Sequence, residues 1–129
     1  MLNYFYKVKR VVKVQDGDTV TLELDLGFGV SVTHKFRLMD FDAPETYRPK
    51  TEAERKAGIR VKKYLKRLLN RKKGILLVES SKLGTYGRYN GRLWRAETNN
   101  VTIHRLGKSL NEQIINFMNK YKLTKEHCR

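Results

Sequence analysis

Thr19-Val20-Thr21-Leu22-Glu23-Leu24-Asp25-Leu26-Gly27-Phe28-Gly29-Val30-Ser31-Val32-Thr33-His34-Lys35-Phe36-Arg37-Leu38 reads as two strands around a short loop. From Val20 the even positions Val20, Leu22, Leu24 and Leu26 are apolar, while Thr19, Thr21, Glu23 and Asp25 are polar. That period of two is the pattern of a half-buried strand. Gly27-Phe28-Gly29 interrupts it, and Val30, Val32, Phe36 and Leu38 resume it with His34 in the same register. A loop centred on Phe28 sets Leu26 against Val30, Leu24 against Val32, Leu22 against His34 and Val20 against Phe36, so apolar meets apolar nearly throughout. The same register puts Asp18 opposite Leu38 and Thr19 opposite Arg37. The turn Asp16-Gly17-Asp18 and the segment Met39-Asp40-Phe41-Asp42 are thereby expected at one end of the hairpin.

Outward from the hairpin, Tyr4 to Val14 is rich in tyrosine, valine and lysine with partial alternation, which predicts a preceding strand. Thr51-Glu52-Ala53-Glu54 has the spacing of a capping box, and Ala53, Ala57, Val61, Tyr64, Leu65, Leu68 and Leu69 follow at helical intervals up to Asn70. The other face of this helix carries Arg55, Lys56, Arg60, Lys62, Lys63, Lys66 and Arg67. Ile75 to Glu79 and Leu93 to Glu97 read as strands, separated by a polar loop from Ser80 to Arg92 that holds three glycines. A shorter helix is expected near Asn111 to Lys120. The reading is one domain over residues 1–122 with a mobile tail over 123–129.

The chain has 129 residues, with 28 Lys and Arg against 13 Asp and Glu, for a formal charge of +15. One core fits that length, and so large an imbalance calls for a polyanionic partner. With 40% hydrophobic and 10% aromatic residues the chain can bury a core, which excludes a disordered basic tail. The single cysteine, Cys128, excludes an intrachain disulfide and a Cys-based zinc site. No stretch reads as a signal peptide or a membrane span, so a cytoplasmic monomer with no implied protein partner is expected, a format that suits a phage- or mobile-element-encoded protein.

Five of the 13 acidic residues fall in the two clusters that the hairpin brings together: Asp16 and Asp18 in one, Asp40, Asp42 and Glu45 in the other. Paired carboxylates with backbone carbonyls and water suit a hard cation, calcium or magnesium, which lets acidic groups coexist with phosphate. Asp16-Gly17-Asp18 and Asp42-Ala43-Pro44 equally fit ordinary turns. An EF-hand is excluded, because counting from Asp16 puts Val20 and Gly27 at ligand positions. Arg37 ends a strand and Arg88 lies in the glycine-bearing loop. Each alone reads as a surface arginine, but two guanidinium groups beside a metal and a glutamate are what phosphodiester hydrolysis needs.

Val12-Lys13-Val14-Gln15-Asp16-Gly17-Asp18-Thr19-Val20, Phe36-Arg37-Leu38, Asp42-Ala43-Pro44-Glu45-Thr46 and Tyr86-Gly87-Arg88, in this order and at these separations, resemble the staphylococcal nuclease (thermonuclease) family over roughly residues 8 to 115. The resemblance implies a mainly β, α+β fold: a five-stranded OB-type β-barrel with two to three packed α-helices. It also implies a calcium-dependent nuclease that cuts single-stranded or fraying DNA and RNA at the 5′ P–O bond and leaves 3′-phosphate ends. By motif position, Asp18 and Asp42 resemble the family's Ca2+-binding carboxylates, with the Ala43 backbone carbonyl as a further ligand and Asp16 behind them. Glu45 matches the residue acting on the attacking water, Arg37 and Arg88 the arginines on the scissile phosphate, and Tyr86 a nucleotide contact. Lys62, Lys63, Lys66 and Arg67 are expected to hold the nucleic-acid backbone.

The chain departs from the family in three places. Gly84-Thr85 stands where Asp-Lys precedes Tyr-Gly-Arg, Asp40 stands where glycine or an apolar residue is usual, and Tyr121 is the only aromatic candidate for base contact after Asn111. His34 reads as a core or barrel-end histidine and Trp94 as core. The alternative function is a non-catalytic OB-fold nucleic-acid-binding module. A basic protein–protein adaptor leaves the apposed carboxylates without a purpose.

Overall fold

The computed structural model describes residues 4–71, 74–83, 89–96 and 107–128, with positions 81–83 described by backbone alone. Strands β1 (Tyr4–Asp16), β2 (Thr19–Gly27), β3 (Val30–Leu38), β4 (Ile75–Leu83) and β5 (Tyr89–Ala96) form a closed barrel in the order β1-β2-β3-β5-β4. Helix α1 (Glu52–Leu69) enters between β3 and β4, and helix α2 (Leu110–Lys120) follows β5. This is the mixed, mostly β barrel with packed helices expected for the OB-type class.

The hairpin register holds from Thr19 opposite Arg37 to Asp25 opposite Ser31, and breaks at the tip, where Gly27 rather than Leu26 pairs with Val30. Gly27, Phe28 and Gly29 all take left-handed backbone angles (φ 81, 56 and 73°). Glycine does so freely and Phe28 only under strain, so the chain reverses over Phe28-Gly29 and Leu26 is left as an unpaired extra residue. Leu26, Phe28 and Val30 are exposed as a result. Partial alternation in β1 has a similar cause: its pairing with β2 slips at three places, between Val8 and Arg10, Val11 and Lys13, and Val14 and Asp16. Each slip bends the strand, and the bends let β1 curl from β2 onto β4, where Tyr4 to Lys7 pair with Ser80 to Leu77.

The segment expected as a loop from Ser80 to Arg92 is largely strand. β4 runs to Leu83 and β5 starts at Tyr89, closing the barrel through a parallel pairing of Phe36, Arg37 and Leu38 with Tyr89, Asn90 and Gly91. Gly91 fits because a Cβ there would stand 3.0 Å from the Phe36 ring and 3.2 Å from Val78. Inward residues Val20, Leu22, Leu24, Phe36, Leu38, Val78 and Leu93 fill the barrel, and Val61, Leu65, Leu110 and Ile114 cover it from the helices. Trp94 is only half-buried; its indole N–H donates to Glu79 at 3.0 Å. His34 stacks edge-on against Tyr89, ring centres 4.7 Å apart.

Both helices start where the sequence predicts, with Thr51 accepting the Glu54 N–H at 3.0 Å and Ser109 the Glu112 N–H at 3.1 Å. The inward face of α1 differs in detail: Ala53 is exposed and Glu54 is buried in its place. Residues 123–128, expected to form a tail, fold back: Leu123 and Cys128 join the core, and Lys125–Cys128 makes one 3-10 turn. One polar brace was not visible in the pattern. Asn111 is 1% exposed; its Oδ1 accepts the Leu93 N–H at 3.0 Å while its Nδ2 donates to the carbonyls of Met39 (3.0 Å) and Gly91 (3.2 Å). It ties α2, β5 and the turn after β3 together. Asn111→Ala strands these groups and is expected to cost roughly 2–4 kcal/mol in urea unfolding, since each buried unsatisfied group costs about 1–3 kcal/mol.

Candidate active site

The two acidic turns meet as the register requires. Leu38 N–H donates to the Asp18 carbonyl at 2.7 Å, so the start of β2 and the end of β3 are joined. Asp18, 9% exposed, accepts the Thr19 hydroxyl on Oδ1 (3.0 Å) and the Ala43 N–H on Oδ2 (2.8 Å). Its carboxylate thereby holds the 42–44 segment against the barrel end. Asp42, exposed, contacts the Arg37 Nη2, and Asp18 Oδ2 lies 3.5 Å from the same nitrogen. Arg37 Nη1 donates to the Leu38 carbonyl, which fixes the guanidinium plane. Two carboxylates on separate loops thus converge on one positive nitrogen.

Glu45 is held from both sides through its backbone. Its N–H donates to Glu54 Oε1 at 3.2 Å, and the next residue, Thr46, donates its N–H (3.3 Å) and its hydroxyl to Asp16 Oδ1. The Glu45 side chain is left half-exposed, with Lys125 Nζ 3.7 Å from its Oε1. Glu54 also accepts the Lys50 N–H at 3.1 Å. These two backbone donors, Lys50 first, hold the Glu54 carboxyl below its ordinary value. Asp16 and Glu54 therefore clamp the 45–50 loop. Asp16, expected behind the cation-binding carboxylates, is seen here holding Thr46; Glu54 was read only as part of a helix cap.

Close packing explains why α1 can serve as the platform. A Cβ on Gly58 would stand 2.6 Å from the Pro44 carbonyl oxygen, 2.9 Å from the Thr46 methyl and 3.1 Å from the Glu45 carbonyl oxygen. A Cβ on Gly17 would stand 2.5 Å from Val61. Glu54, Gly58 and Val61 lie on one helix face, so both acidic turns rest on it. The sequence reading missed that Glu54 and Gly58 position this loop; a glycine in mid-helix, about 0.5–1 kcal/mol worse than alanine, was the available signal.

Asp40 does not join the carboxylate pair. Its Oδ2 accepts from Arg92 Nη2 at 2.8 Å, and Arg92 also reaches the buried Glu79 at 3.5 Å. The hydrogen bond to Asp40 raises the Arg92 guanidinium pKa. Asp40 has φ 81°, a left-handed angle that explains why glycine suits the position and why aspartate is tolerated. Lys62, Lys63, Lys66 and Arg67 lie along α1, with Lys63, Lys66 and Arg67 exposed. No hydrogen bond or ion pair among the described residues links them to the acidic turns. Tyr86 and Arg88, expected in the site, lie outside the described residues.

Asp18 and Asp42 offer the oxygen donors that a hard cation takes, and both now meet Arg37 Nη2. Among the described residues no group of three or more His, Cys, Asp or Glu side chains could hold a metal ion.

Barrel, packed helices and charge together define a small, basic, OB-type barrel domain. The family model described as Staphylococcal nuclease homologue matches residues 35–118, and the chain belongs to that family. The match includes Arg37, Asp42, Glu45 and Arg88, while Asp16 and Asp18 precede it. Comparison with curated proteins found no match. Among the described residues no helix is long and apolar enough to cross a membrane.

Two outcomes test the clamp. Gly58→Ala, ordinarily stabilising in a helix, is expected to destabilise by about 1–3 kcal/mol in urea melts, because the Cβ meets backbone that must shift. Glu54→Gln is expected to lower the melting temperature at neutral pH. Because the folded Glu54 carboxyl titrates below the ordinary 4.5, its contribution is present above that value and fades as the pH falls through its lowered folded value. The gap between wild type and Glu54→Gln should therefore narrow in acid, as read by thermal melts across pH.

Proposed function

We propose that the chain is a calcium-dependent phosphodiesterase of the nuclease type, acting as a monomer on single-stranded or fraying DNA and RNA. It cleaves the 5′ P–O bond and leaves 3′-phosphate ends. The observation that carries this reading is the convergence of Asp18 and Asp42 on Arg37, with the half-exposed Glu45 clamped in the same loop. Membership in a nuclease family and a charge of +15 support it.

In this reading Asp18, Asp42 and the Ala43 carbonyl are the cation's protein donors. When bound, calcium supplies positive charge against the scissile phosphate. Glu45 accepts the proton of the attacking water, whose oxygen bonds to phosphorus as the bond to the 5′ oxygen breaks; that oxygen takes a proton from solvent water, and Glu45 returns its own proton to solvent. Arg37 and Arg88 stabilise the added negative charge of five-coordinate phosphorus, a role typically worth about 3–4 kcal/mol. Tyr86 contacts the nucleotide, and Lys62, Lys63, Lys66 and Arg67 the backbone.

A non-catalytic nucleic-acid-binding module is the second reading, favoured by the pairing of Arg37 with both carboxylates. Incubating the purified protein with single-stranded DNA and calcium, with and without chelator, separates the two. Calcium-dependent cleavage is expected; binding without cleavage selects the module. Glu45→Gln, folded by circular dichroism, is expected to lower kcat by about 10²–10⁴-fold while binding persists. Undiminished cleavage by that variant removes Glu45 as the base.

A further inference from the structure

A cleft of about 350 Å³ is lined by Glu45, Arg48, Lys50, Thr51, Glu54 and Lys125. Three cations face two carboxylates there. Glu54 is already satisfied by two backbone N–H groups, and Glu45 meets Lys125 at 3.7 Å. Among the described residues neither Arg48 nor Lys50 has a carboxylate partner within ion-pair distance.

Lys125 is not on a loose end. Leu123 N–H donates to the Met118 carbonyl at 2.8 Å, Leu123 and Cys128 are buried, and the Thr51 hydroxyl donates to the Cys128 carbonyl at 2.9 Å. The turn carrying Lys125 is thus fastened to both helices, which holds a cation at the cleft with little ordering entropy left to lose. Tyr47, next to the cleft residue Arg48 in the chain, is 81% exposed on the loop that Asp16 and Glu54 clamp, with the Arg48 guanidinium 5.5 Å from its ring centre. An aromatic ring kept in solvent by a fastened backbone, beside unpaired cations, has the make-up of a platform for a base in a single strand.

We propose that this cleft is a second nucleotide subsite, in which Arg48, Lys50 and Lys125 take the phosphate next to the scissile one and Tyr47 stacks its base. The inference rests on the nuclease reading: the cleft shares Glu45 with the reaction site, so a strand whose scissile phosphate faces Glu45 has its neighbour at the cleft mouth. The incoming phosphate also replaces Glu45 as the partner of Lys125 and frees the carboxylate.

Binding of a short fluorescein-labelled oligothymidylate, followed by anisotropy in chelator across salt, tests this. Arg48→Ala, Lys50→Ala and Lys125→Ala combined are expected to weaken binding and to make the slope of log K against log salt shallower by about 0.7, the share of one phosphate contact on a single strand. Lys125→Met alone should weaken binding in the same direction with a smaller change of slope, which keeps the test open if the triple variant folds poorly. Tyr47→Ala should weaken binding about 10-fold with the slope unchanged, because stacking releases no counterions. Alanines at Lys9, Lys13 and Lys35, exposed on β1 and β3, serve as the charge-matched control. If the triple variant binds like wild type or like this control, the subsite is wrong while calcium-dependent cleavage keeps the nuclease reading intact. If wild type neither binds nor cuts nucleic acid, the nuclease reading fails and takes the subsite with it.

Discussion

Helix α1 touches the 44–46 loop with no side chain between them, and the candidate site depends on that contact. Gly58 supplies the gap; one turn earlier Glu54 accepts the N–H groups of Glu45 and Lys50, and one turn later Val61 packs on Gly17. The helix gives up about 0.5–1 kcal/mol of propensity at the glycine, which the full burial of Val61 alone, at about 1.5–3 kcal/mol, offsets. Thr51 extends the arrangement. Its hydroxyl oxygen accepts the Glu54 N–H while its proton goes to the Cys128 carbonyl, so the start of α1 and the C-terminal turn share one group.

The barrel end is organised by arginines that each serve two carboxylates. Arg37 bridges Asp18 and Asp42, and Arg92 bridges Asp40 and Glu79. Acidic residues are scarce in this chain, and those at the barrel end are spent on loop geometry, while lysines and arginines on α1 stay exposed. This division leaves a surface field that attracts polyanions and gathers five of the 13 carboxylates at one end of the barrel.

Much of the hairpin and of α1 could be read directly, since side-chain periodicity reports which face is buried. The reading failed where that link breaks. Leu26 keeps the alternation yet is exposed, because the tight left-handed turn over residues 27–29 pairs Gly27 with Val30 and leaves Leu26 as an unpaired extra residue. Glu54 and Gly58 look indifferent on a helical wheel, because their worth lies in partners from another segment. Tyr89 to Arg92 looked like loop because polar and glycine residues dominate, and their strand conformation is supplied by the parallel partner β3. Leu123 and Cys128 are too isolated in a polar stretch to announce burial.

Sequence by itself determined the hairpin register, the helix with its Thr51 cap, the apposition of Asp18 with the end of β3, and the excess positive charge. These follow from local pattern, where each residue's neighbours in sequence are also its determinants. Only tertiary structure decided that Asp16 would grip Thr46, that Glu54 would hold Glu45, that Asp40 would turn to Arg92 and that Lys125 would reach Glu45 from the far end of the chain. Those contacts join segments without periodicity, and they exist because barrel closure and the glycine gap in α1 bring the segments within hydrogen-bond range.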